Sequence, residues 1–145
     1  MKRLVLMIIL ALICGTVFTS CRKEIDANKT EGTYVGTYTW KNLTRDWSWS
    51  STPTIELKNG KYTYKGLSND SYFDSGSGNF TIKGNKIIFE LTDYDIPMED
   101  IGVVEEWQLR GEYKYKFDGN KLIFSKSCTV YDEKYKYEFE LKRDK

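Results

Sequence analysis

The sequence predicts an all-β fold, an eight-stranded antiparallel up-and-down β-barrel that follows an N-terminal signal peptide. Three observations lead to this prediction. Polar and apolar residues alternate over long stretches, turn dipeptides interrupt the alternation, and no stretch after residue 31 has sustained helical spacing. A single sheet with local connections leaves two exposed edges, and closing the sheet into a barrel removes both. A two-sheet sandwich is the alternative, but it needs longer crossing connections than most of this chain offers.

The first twenty residues have the pattern of a secretory leader. Lys2 and Arg3 precede an apolar run that extends to Phe18, and small residues then lead to Cys21. This ending resembles the bacterial lipobox, in which the chain is cleaved before a cysteine that is then acylated. A plain cleaved signal and a retained membrane-spanning helix are the alternatives.

The lipobox resemblance implies a domain organisation and a location. It makes residues 1–20 a lipoprotein signal peptide and residues 21–31 a lipidated cysteine with a flexible polar tether, leaving 32–145 for the barrel. Acyl chains such as palmitate on Cys21 would hold the mature chain on a membrane. In enteric bacteria an Asp after the cysteine retains lipoproteins at the inner membrane. Here Arg22 follows, so the resemblance implies an outer-membrane lipoprotein of the bacterial cell envelope, facing either the periplasm or the outside.

Period-two alternation defines the strands. It is cleanest over 106–117, where Trp107, Leu109, Tyr113 and Tyr115 share one face and charged residues occupy the other. We expect the second strand to begin as early as Trp47. Its two tryptophans have odd residue numbers, as do the core residues Ile55 and Leu57, so side chains of this parity lie on the same face. We expect strands at 33–41, 47–58, 61–67, 77–83, 86–92, 105–117, 121–129 and 134–143.

Turn residues fix the connections between these strands. Asn59-Gly60 suits a type I′ hairpin and Gly84-Asn85 a type II′ hairpin, while Asp118-Gly119-Asn120 forms a slightly longer turn. Local connections of this kind imply that consecutive strands pair in antiparallel fashion. Two longer loops interrupt the series, at 67–76 and 93–104.

Several short segments resemble the lipocalin-like lipoproteins common in Bacteroidetes. The segment 32–36 (Gly-Thr-Tyr-Val-Gly) opens the first strand, 137–141 (Tyr-Glu-Phe-Glu-Leu) lies in the last, and 92–94 (Thr-Asp-Tyr) matches a further lipocalin motif, one strand earlier than that family places it. The resemblance implies a barrel that binds small, mostly apolar molecules. It also implies that a basic residue of the last strand, Arg143 or Lys142, packs over the aromatic residue of the first.

The residue parity places many aromatic side chains inside the barrel, eight of them tyrosines. Buried phenols need hydrogen-bond partners, so we weigh two interpretations: the rings fill the barrel, or they line a pocket for a small amphipathic or hydrophobic ligand such as a sugar, an aromatic or a lipid. Trp47 and Trp49 either stack on such a ligand at the open end or plug the core. The candidate ligand-binding residues are Tyr38, Trp40, Trp47, Trp49, Tyr62, Tyr64, Trp107, Tyr113, Tyr115 and Tyr137.

The composition excludes several functions. The chain has 22 Lys and Arg against 21 Asp and Glu, so it lacks the charge excess of a nucleic-acid-binding protein. It has no histidine, which removes histidine-based catalysis and His-ligated zinc. We expect no catalytic residue, no metal and no cofactor: Cys128 lacks a histidine to activate it, and the acidic loop 93–100 lacks the spacing of a calcium site.

We therefore expect a monomeric, non-catalytic binding module whose partners are the outer membrane and a small ligand. The alternative is an envelope protein of the interaction or inhibitor type, with a filled barrel and loops that contact a partner protein.

Overall fold

The structure is a computed structural model that describes residues 27–67, 75–94 and 108–145. A short 3-10 helix, Ala27–Thr30, precedes nine strands. These are β1 (Gly32–Asn42), β2 (Trp47–Ser51), β3 (Thr54–Lys58), β4 (Lys61–Lys65), β5 (Ser75–Lys83), β6 (Lys86–Tyr94), β7 (Gly111–Phe117), β8 (Lys121–Val130) and β9 (Glu133–Arg143).

The predicted eight-stranded antiparallel barrel is confirmed, with one extra strand. The sheet runs β1-β3-β4-β5-β6-β7-β8-β9, and β9 pairs back onto β1 to close it. The closing seam is long, because β1 and β9 remain in register from Tyr34↔Arg143 to Asn42↔Tyr135. The extra strand β2 pairs with the second half of β1, beside the half that pairs with β3.

The prediction of one continuous second strand, 47–58, is wrong. It is divided into β2 and β3 at Thr52 and Pro53. Proline has no N–H to give to a β-ladder, and the chain bends where the ladder is interrupted. Both halves still pair with β1, at Tyr38↔Ser51 and at Val35↔Thr54.

The strand predicted at 105–117 is shorter than expected. Residues 105–107 lie outside the described residues, and β7 begins only at Gly111, whose φ is +88°. Such a backbone conformation suits glycine and breaks the extended ladder. Leu109 is nevertheless fully buried, as its parity predicts.

Hairpin geometry agrees with the predicted turns. Asn59 and Gly60 have φ values of 52° and 72°, as a type I′ turn requires, and Gly84 has a φ of 62° at the first position of its turn. Because consecutive strands alternate in direction, the β3–β4, β5–β6 and β7–β8 turns share one end of the barrel with the start of β1 and the end of β9. We call this the closed end, and the opposite end the rim.

The core occupies the inward face of the strands. Most inward residues are almost completely buried, including seven of the eight predicted inward tyrosines; the eighth, Tyr135, is half-buried. At mid-height the rings are in contact: Phe124 stacks on Phe139 at 4.3 Å between centroids, and Tyr38 stacks on Phe139 at 4.5 Å. Tyr113 and Phe89 meet Phe124 edge-on or tilted. The middle of the barrel is therefore filled by aromatic side chains.

Candidate functional site

One end of the barrel is sealed by a cation. Arg143 lies with its guanidinium carbon 5.5 Å from the ring centroid of Tyr34 and 5.6 Å from that of Phe117. It donates hydrogen bonds to the backbone oxygen of Glu31 and to the Tyr34 hydroxyl, which itself donates to the Thr30 carbonyl oxygen at 2.7 Å. The basic residue expected over the opening aromatic is thus Arg143 rather than Lys142.

Part of the predicted flexible tether covers this end of the barrel and forms a lid, residues 27–31. Residues 27–30 form the 3-10 helix, and Thr30 is fully buried. Glu31 accepts a hydrogen bond from the backbone N–H of Asn59, which ties the lid to the β3–β4 hairpin. The predicted tether, 21–31, is therefore wrong for its last five residues, and residues 21–26 lie outside the described residues.

Four candidate tyrosines come together around Tyr113, which itself contacts Phe89 and Phe124 of the packed middle. Tyr62 stacks on Tyr64 at 6.2 Å between centroids and donates a hydrogen bond of 2.6 Å to the carbonyl oxygen of Leu109. Burial raises the pKa of Tyr113, and neighbouring Tyr137 raises it further; burial also raises the pKa of Tyr62. The phenols of Tyr62 and Tyr113 therefore remain neutral at physiological pH and act as hydrogen-bonding groups with apolar rings.

A lysine lies among these rings. The Lys126 ammonium is 4.7 Å from the ring centroid of Tyr113 and 4.9 Å from that of Tyr137, and it donates a hydrogen bond of 2.8 Å to the carbonyl oxygen of Arg110. Its inward parity predicts a position at the barrel mouth, and its partial exposure agrees. A cation over two aromatic faces is stabilised by their quadrupoles, so this part of the interior carries a positive charge in an aromatic setting.

The rim is built from tryptophans. Trp40 is 4% exposed and lies between Trp47, at 5.1 Å between centroids, and Tyr135, at 5.4 Å. Trp49 meets Tyr38 edge-on at 5.4 Å. The indole N–H of Trp40 is buried without a hydrogen-bond partner, and an unpaired buried donor costs roughly 1–3 kcal/mol. The rim therefore combines apolar ring faces with one unsatisfied donor.

A network of hydrogen bonds braces the rim. Glu133 accepts from the side chains of Asn42 at 2.7 Å, Tyr135 at 2.7 Å and Arg45 at 2.6 Å. The hydrogen bonds from Tyr135 and Asn42 hold the pKa of Glu133 below its usual value. Asn42 also accepts from the backbone N–H of Thr44. The network joins the β1–β2 turn to the β8–β9 turn, so both parts of the rim are held in fixed positions.

The structure separates the predicted site residues into groups. Tyr38, Trp40, Tyr62, Tyr64, Tyr113, Tyr115 and Tyr137 are buried, Trp49 is half-buried and Trp47 is 58% exposed. Trp47 does not plug the core. Tyr115 does not belong with the others, because it lies toward the closed end, where its backbone N–H donates to Asn85 of the β5–β6 turn. Trp107 lies outside the described residues.

Sequence reasoning missed the residues that hold the rim together. Asn42 and Glu133 are 91 positions apart in the chain, and nothing in the local pattern pairs them. Tyr135 was predicted to face inward, but its hydroxyl bond to Glu133 was not. Antiparallel pairing of the first and last strands is the only signal from which this contact follows.

A surface depression of about 430 Å³ lies elsewhere, around the β3–β4 hairpin. Five of the six residues around it are charged or polar, and the sixth, Tyr62, is the one predicted site residue among them. The residues are Glu56, Lys58, Asn59, Lys61, Tyr62 and Thr63.

Comparison with known proteins places no further constraint on the site. No family model, curated protein or solved structure matches this chain. In the part of the chain that the structure describes, no three or more His, Cys, Asp or Glu side chains are grouped to hold a metal ion. Of the acidic loop, Asp95, Glu99 and Asp100 lie outside that part. Within the described ranges no helix has the length and apolarity needed to cross a bilayer.

Proposed function

We propose that the mature chain is a membrane-anchored, non-catalytic binding module that takes a small amphipathic or hydrophobic ligand at the rim. The observation that carries this proposal is the difference between the two ends of the barrel. Arg143 and the 3-10 helix seal one end. At the other, aromatic side chains become steadily more exposed, from Trp40 through Trp49 to Trp47. Flat ring faces beside a few polar groups are the usual lining of a small-molecule site.

The polar groups of the rim define the chemistry of the ligand. The indole N–H of Trp40 is buried without a partner beneath Trp47. A ligand that displaces Trp47 and accepts this hydrogen bond would remove a desolvation penalty. Trp47 and Trp49 offer ring faces, on which the apolar face of a sugar, an aromatic ring or a lipid chain can stack. A ligand with one acceptor and one apolar face satisfies both features.

The packed middle limits how deep the ligand reaches. Because Phe124, Phe139 and Tyr38 are stacked across the barrel, the ligand stays at the rim and leaves the lower half undisturbed. A shallow site of this kind suits a ligand of about twenty non-hydrogen atoms. At about 0.3 kcal/mol per atom, its dissociation constant is on the order of tens of micromolar.

The non-catalytic part of the proposal rests on the residue inventory. Without histidine, a nucleophile such as Cys128 has no imidazole to activate it. The Cys128 thiol donates a weak hydrogen bond to the Tyr137 hydroxyl, 3.9 Å away.

Ligand binding is tested by tryptophan fluorescence and thermal shift with three probes: dodecanoate, a maltooligosaccharide and protoporphyrin. At least one probe is expected to shift tryptophan emission and raise the melting temperature. Trp47→Ala is expected to weaken binding at least fivefold by removing an exposed stacking face. Tyr115→Phe, a change near the closed end, is the matched control and is expected to bind normally. Absence of any stabilising probe, or equal binding by Trp47→Ala, would contradict the proposal.

The anchor is tested separately by expression of the full chain in a Gram-negative host. Metabolic labelling with palmitate is expected to label the wild-type chain and to place it in the membrane fraction. Cys21→Ala is expected to lose the label. A Cys21→Ala chain that is still labelled would assign the acylation elsewhere and refute the proposed anchor.

A second candidate function is recognition of a partner protein, and one observation favours it. The large hydrophobic residues that are exposed among the described residues all lie at two neighbouring turns of the rim. Tyr131, at the β8–β9 turn, is 97% exposed and has a φ of 48°. Such a backbone conformation is unfavourable for tyrosine, and the exposed ring gains no packing in return. The four residues are Leu43, Trp47, Val130 and Tyr131.

The two candidate functions are separable by mutation. Tyr131→Asn replaces the ring with a residue that tolerates the same backbone conformation. It is expected to reduce capture of a partner protein from envelope extracts while leaving binding of the small probes intact. If Tyr131→Asn instead abolishes probe binding, the β8–β9 turn belongs to the ligand site.

A further inference from the structure

The closed end of the barrel is rich in lysine. Each of its three hairpin turns is bracketed by lysines, as in Lys58-Asn-Gly-Lys61 and Lys83-Gly-Asn-Lys86. Most of these side chains are exposed, and the chain ends β9 with further cations. The cationic residues at this end are Lys29, Lys58, Lys61, Lys83, Lys86, Lys116, Lys121, Lys142, Arg143 and Lys145.

Several of these lysines face each other directly across the sheet. Lys58 is the cross-strand partner of Lys61, Lys83 is that of Lys86, and Lys121 is that of Lys142. Like charges in directly opposed positions destabilise a sheet. Solubility alone does not require opposed lysines, because acidic and basic side chains alternating at the same positions would keep the protein equally soluble.

Acidic residues only partly neutralise the closed end. Glu112 pairs with Lys86 at 2.6 Å, and Glu140 pairs with Lys121 at 3.2 Å. Asp118 accepts hydrogen bonds from two backbone N–H groups of its own turn, and Glu31 accepts from the backbone of Asn59. Glu56 and Asp144 lie at the same end, beside Thr33 of β1. Among the described residues, the ten cations at this end therefore face six carboxylates.

Two segments that lie outside the described residues, 68–74 and 95–107, contain only acidic charged residues in the sequence. These are Asp70, Asp74, Asp95, Glu99, Asp100, Glu105 and Glu106. The whole chain is almost neutral at a formal charge of +1, so the excess of cations at the closed end reflects segregation of charge rather than a basic composition.

The chain enters the barrel at the closed end. Ala27 begins the lid, and Cys21 lies six positions earlier. Six residues span at most about 20 Å. If Cys21 carries the acyl chains, the closed end is the part of the barrel that this short connection keeps nearest to the bilayer.

We propose that the lysine-rich closed end is a docking surface for the anionic phosphate headgroups of the membrane that holds the acyl chains. Charge complementarity and the short connection to Cys21 both point to this occupant. Docking fixes the orientation of the barrel, so that the closed end lies on the bilayer and the rim points away from it. The inference rests on the lipid anchor of the proposed function, but not on the ligand site.

The surface is tested with the unlipidated mature chain, residues 22–145. This chain contains the entire closed barrel and its lid, whose pairings all lie within residues 27–145. Co-sedimentation is measured with vesicles of phosphatidylethanolamine and phosphatidylglycerol, three to one, and with phosphatidylcholine vesicles. Binding is expected for the anionic vesicles only and is expected to weaken as NaCl rises from 50 to 300 mM. Equal binding to both compositions would overturn the proposal.

Two charge-matched variants locate the surface. Lys58→Gln with Lys61→Gln removes one cross-strand pair at the closed end, whereas Lys65→Gln with Lys134→Gln removes two exposed lysines of the upper half. Each lysine near an anionic surface is worth about a fivefold change in affinity. The first variant is therefore expected to bind about 25-fold more weakly, and the second about as tightly as wild type. Equal losses in the two variants would overturn the assignment.

A stability measurement separates docking from folding. Because the opposed lysines repel each other, the Lys58→Gln, Lys61→Gln variant is expected to melt at the wild-type temperature or above. A loss of vesicle binding in a less stable variant is checked with the independent pair Lys83→Gln, Lys86→Gln. If neither pair lowers vesicle affinity in a folded chain, the proposal fails.

Tryptophan fluorescence reports the orientation. Trp40, Trp47 and Trp49 lie at the rim, so brominated anionic lipids are expected to leave their emission unchanged when the chain docks by its closed end. Strong quenching that Trp47→Phe reduces would show docking by the rim and overturn the proposal. Binding to an acidic polysaccharide such as heparin but not to the anionic vesicles would assign the lysines to another partner.

The outcomes distinguish this inference from the proposed function. Failure of all three small-molecule probes leaves vesicle docking untouched. Loss of palmitate labelling removes the anchor but not the lysine-dependent binding of the unlipidated chain. Only the vesicle experiments decide whether the closed end recognises anionic lipid.

Discussion

The close approach of β1 to β9 at Gly36 yields a sharp prediction. A Cβ atom at Gly36 would lie 2.1 Å from the carbonyl oxygen of Glu140 and 2.8 Å from the Cα of Leu141. Both are backbone atoms of the strand that closes the barrel, so no side-chain rotation relieves the clash. Gly36→Ala therefore forces the closing seam apart or distorts β1.

The expected loss of stability follows from two opposing effects. Overpacking against fixed backbone costs about 1–3 kcal/mol, and the entropy gained by replacing glycine returns about 0.5–1 kcal/mol. Because the clash is with backbone, we expect a value toward the upper end, a net loss of about 2 kcal/mol in the free energy of unfolding. For a domain of this size, the melting temperature falls by roughly 6–10 °C. Urea unfolding and calorimetry measure both quantities.

Gly84→Ala provides the control for Gly36→Ala. Gly84 has a φ of 62°, and nothing lies within 4 Å of a Cβ placed there. This substitution therefore pays only the conformational penalty, about 1 kcal/mol. If Gly36→Ala loses no more stability than Gly84→Ala, the two strands do not approach as described and the reasoning is refuted.

Three further predictions concern hydrogen bonds and charge. Tyr62→Phe is expected to lower the free energy of unfolding by about 1–2 kcal/mol because it removes a buried hydrogen bond to the Leu109 carbonyl. Tyr115→Phe removes a buried hydroxyl that has no partner, so it is expected to be neutral or slightly stabilising in urea unfolding. Arg143→Gln is expected to cost about 2–3 kcal/mol and to speed hydrogen exchange in the lid; unchanged exchange would refute the seal. The lowered pKa of Glu133 contributes stability that is complete above its ordinary value of 4.5 and is lost as pH falls through the folded-state value. Melting temperatures of Glu133→Gln are therefore expected to depend less on pH in the acidic range, and an unchanged dependence would contradict the role of this carboxylate.

The strands and hairpin turns can be predicted from the sequence because two local signals agree. Alternation marks the inward face, and Asn59-Gly60 and Gly84-Asn85 mark where strands reverse. Both signals depend only on residues that are neighbours in the sequence, so they can be read without knowing how the rest of the chain folds. The position of Arg143 over Tyr34 was predictable only through a resemblance, because the two residues are joined by barrel closure and not by sequence proximity.

The errors arise where backbone geometry overrides parity. Leu109 keeps the predicted inward direction, yet the ladder begins only at Gly111, whose positive φ interrupts it. Pro53 divides a strand whose alternation continues on both sides. The β8–β9 turn has positive φ at Tyr131 and Asp132. Tyr-Asp is not one of the dipeptides, such as Asn-Gly, from which a type I′ turn is predicted. Parity predicts which face a residue occupies but not whether the ladder is continuous there.

The candidate site was less predictable than the fold. Parity brings Tyr62, Tyr64, Tyr113 and Tyr137 inside, but it does not give their heights in the barrel, and it therefore grouped Tyr115 with them. Height depends on strand stagger, which is a property of the closed sheet rather than of any one strand. The alternating direction of the strands collects the lysine-bracketed turns at one end, a pattern that is visible in the sequence only after the ends are assigned.

Closure of the sheet is the claim on which both ends depend, and long-range nuclear Overhauser effects between β1 and β9 test it most directly. The account predicts backbone contacts along the whole seam, from Tyr34 opposite Arg143 to Asn42 opposite Tyr135, together with slow amide exchange on both strands. Contacts between β8 and β9 in the absence of any between β9 and β1, with rapid exchange along β1, would show an open sheet and contradict the account.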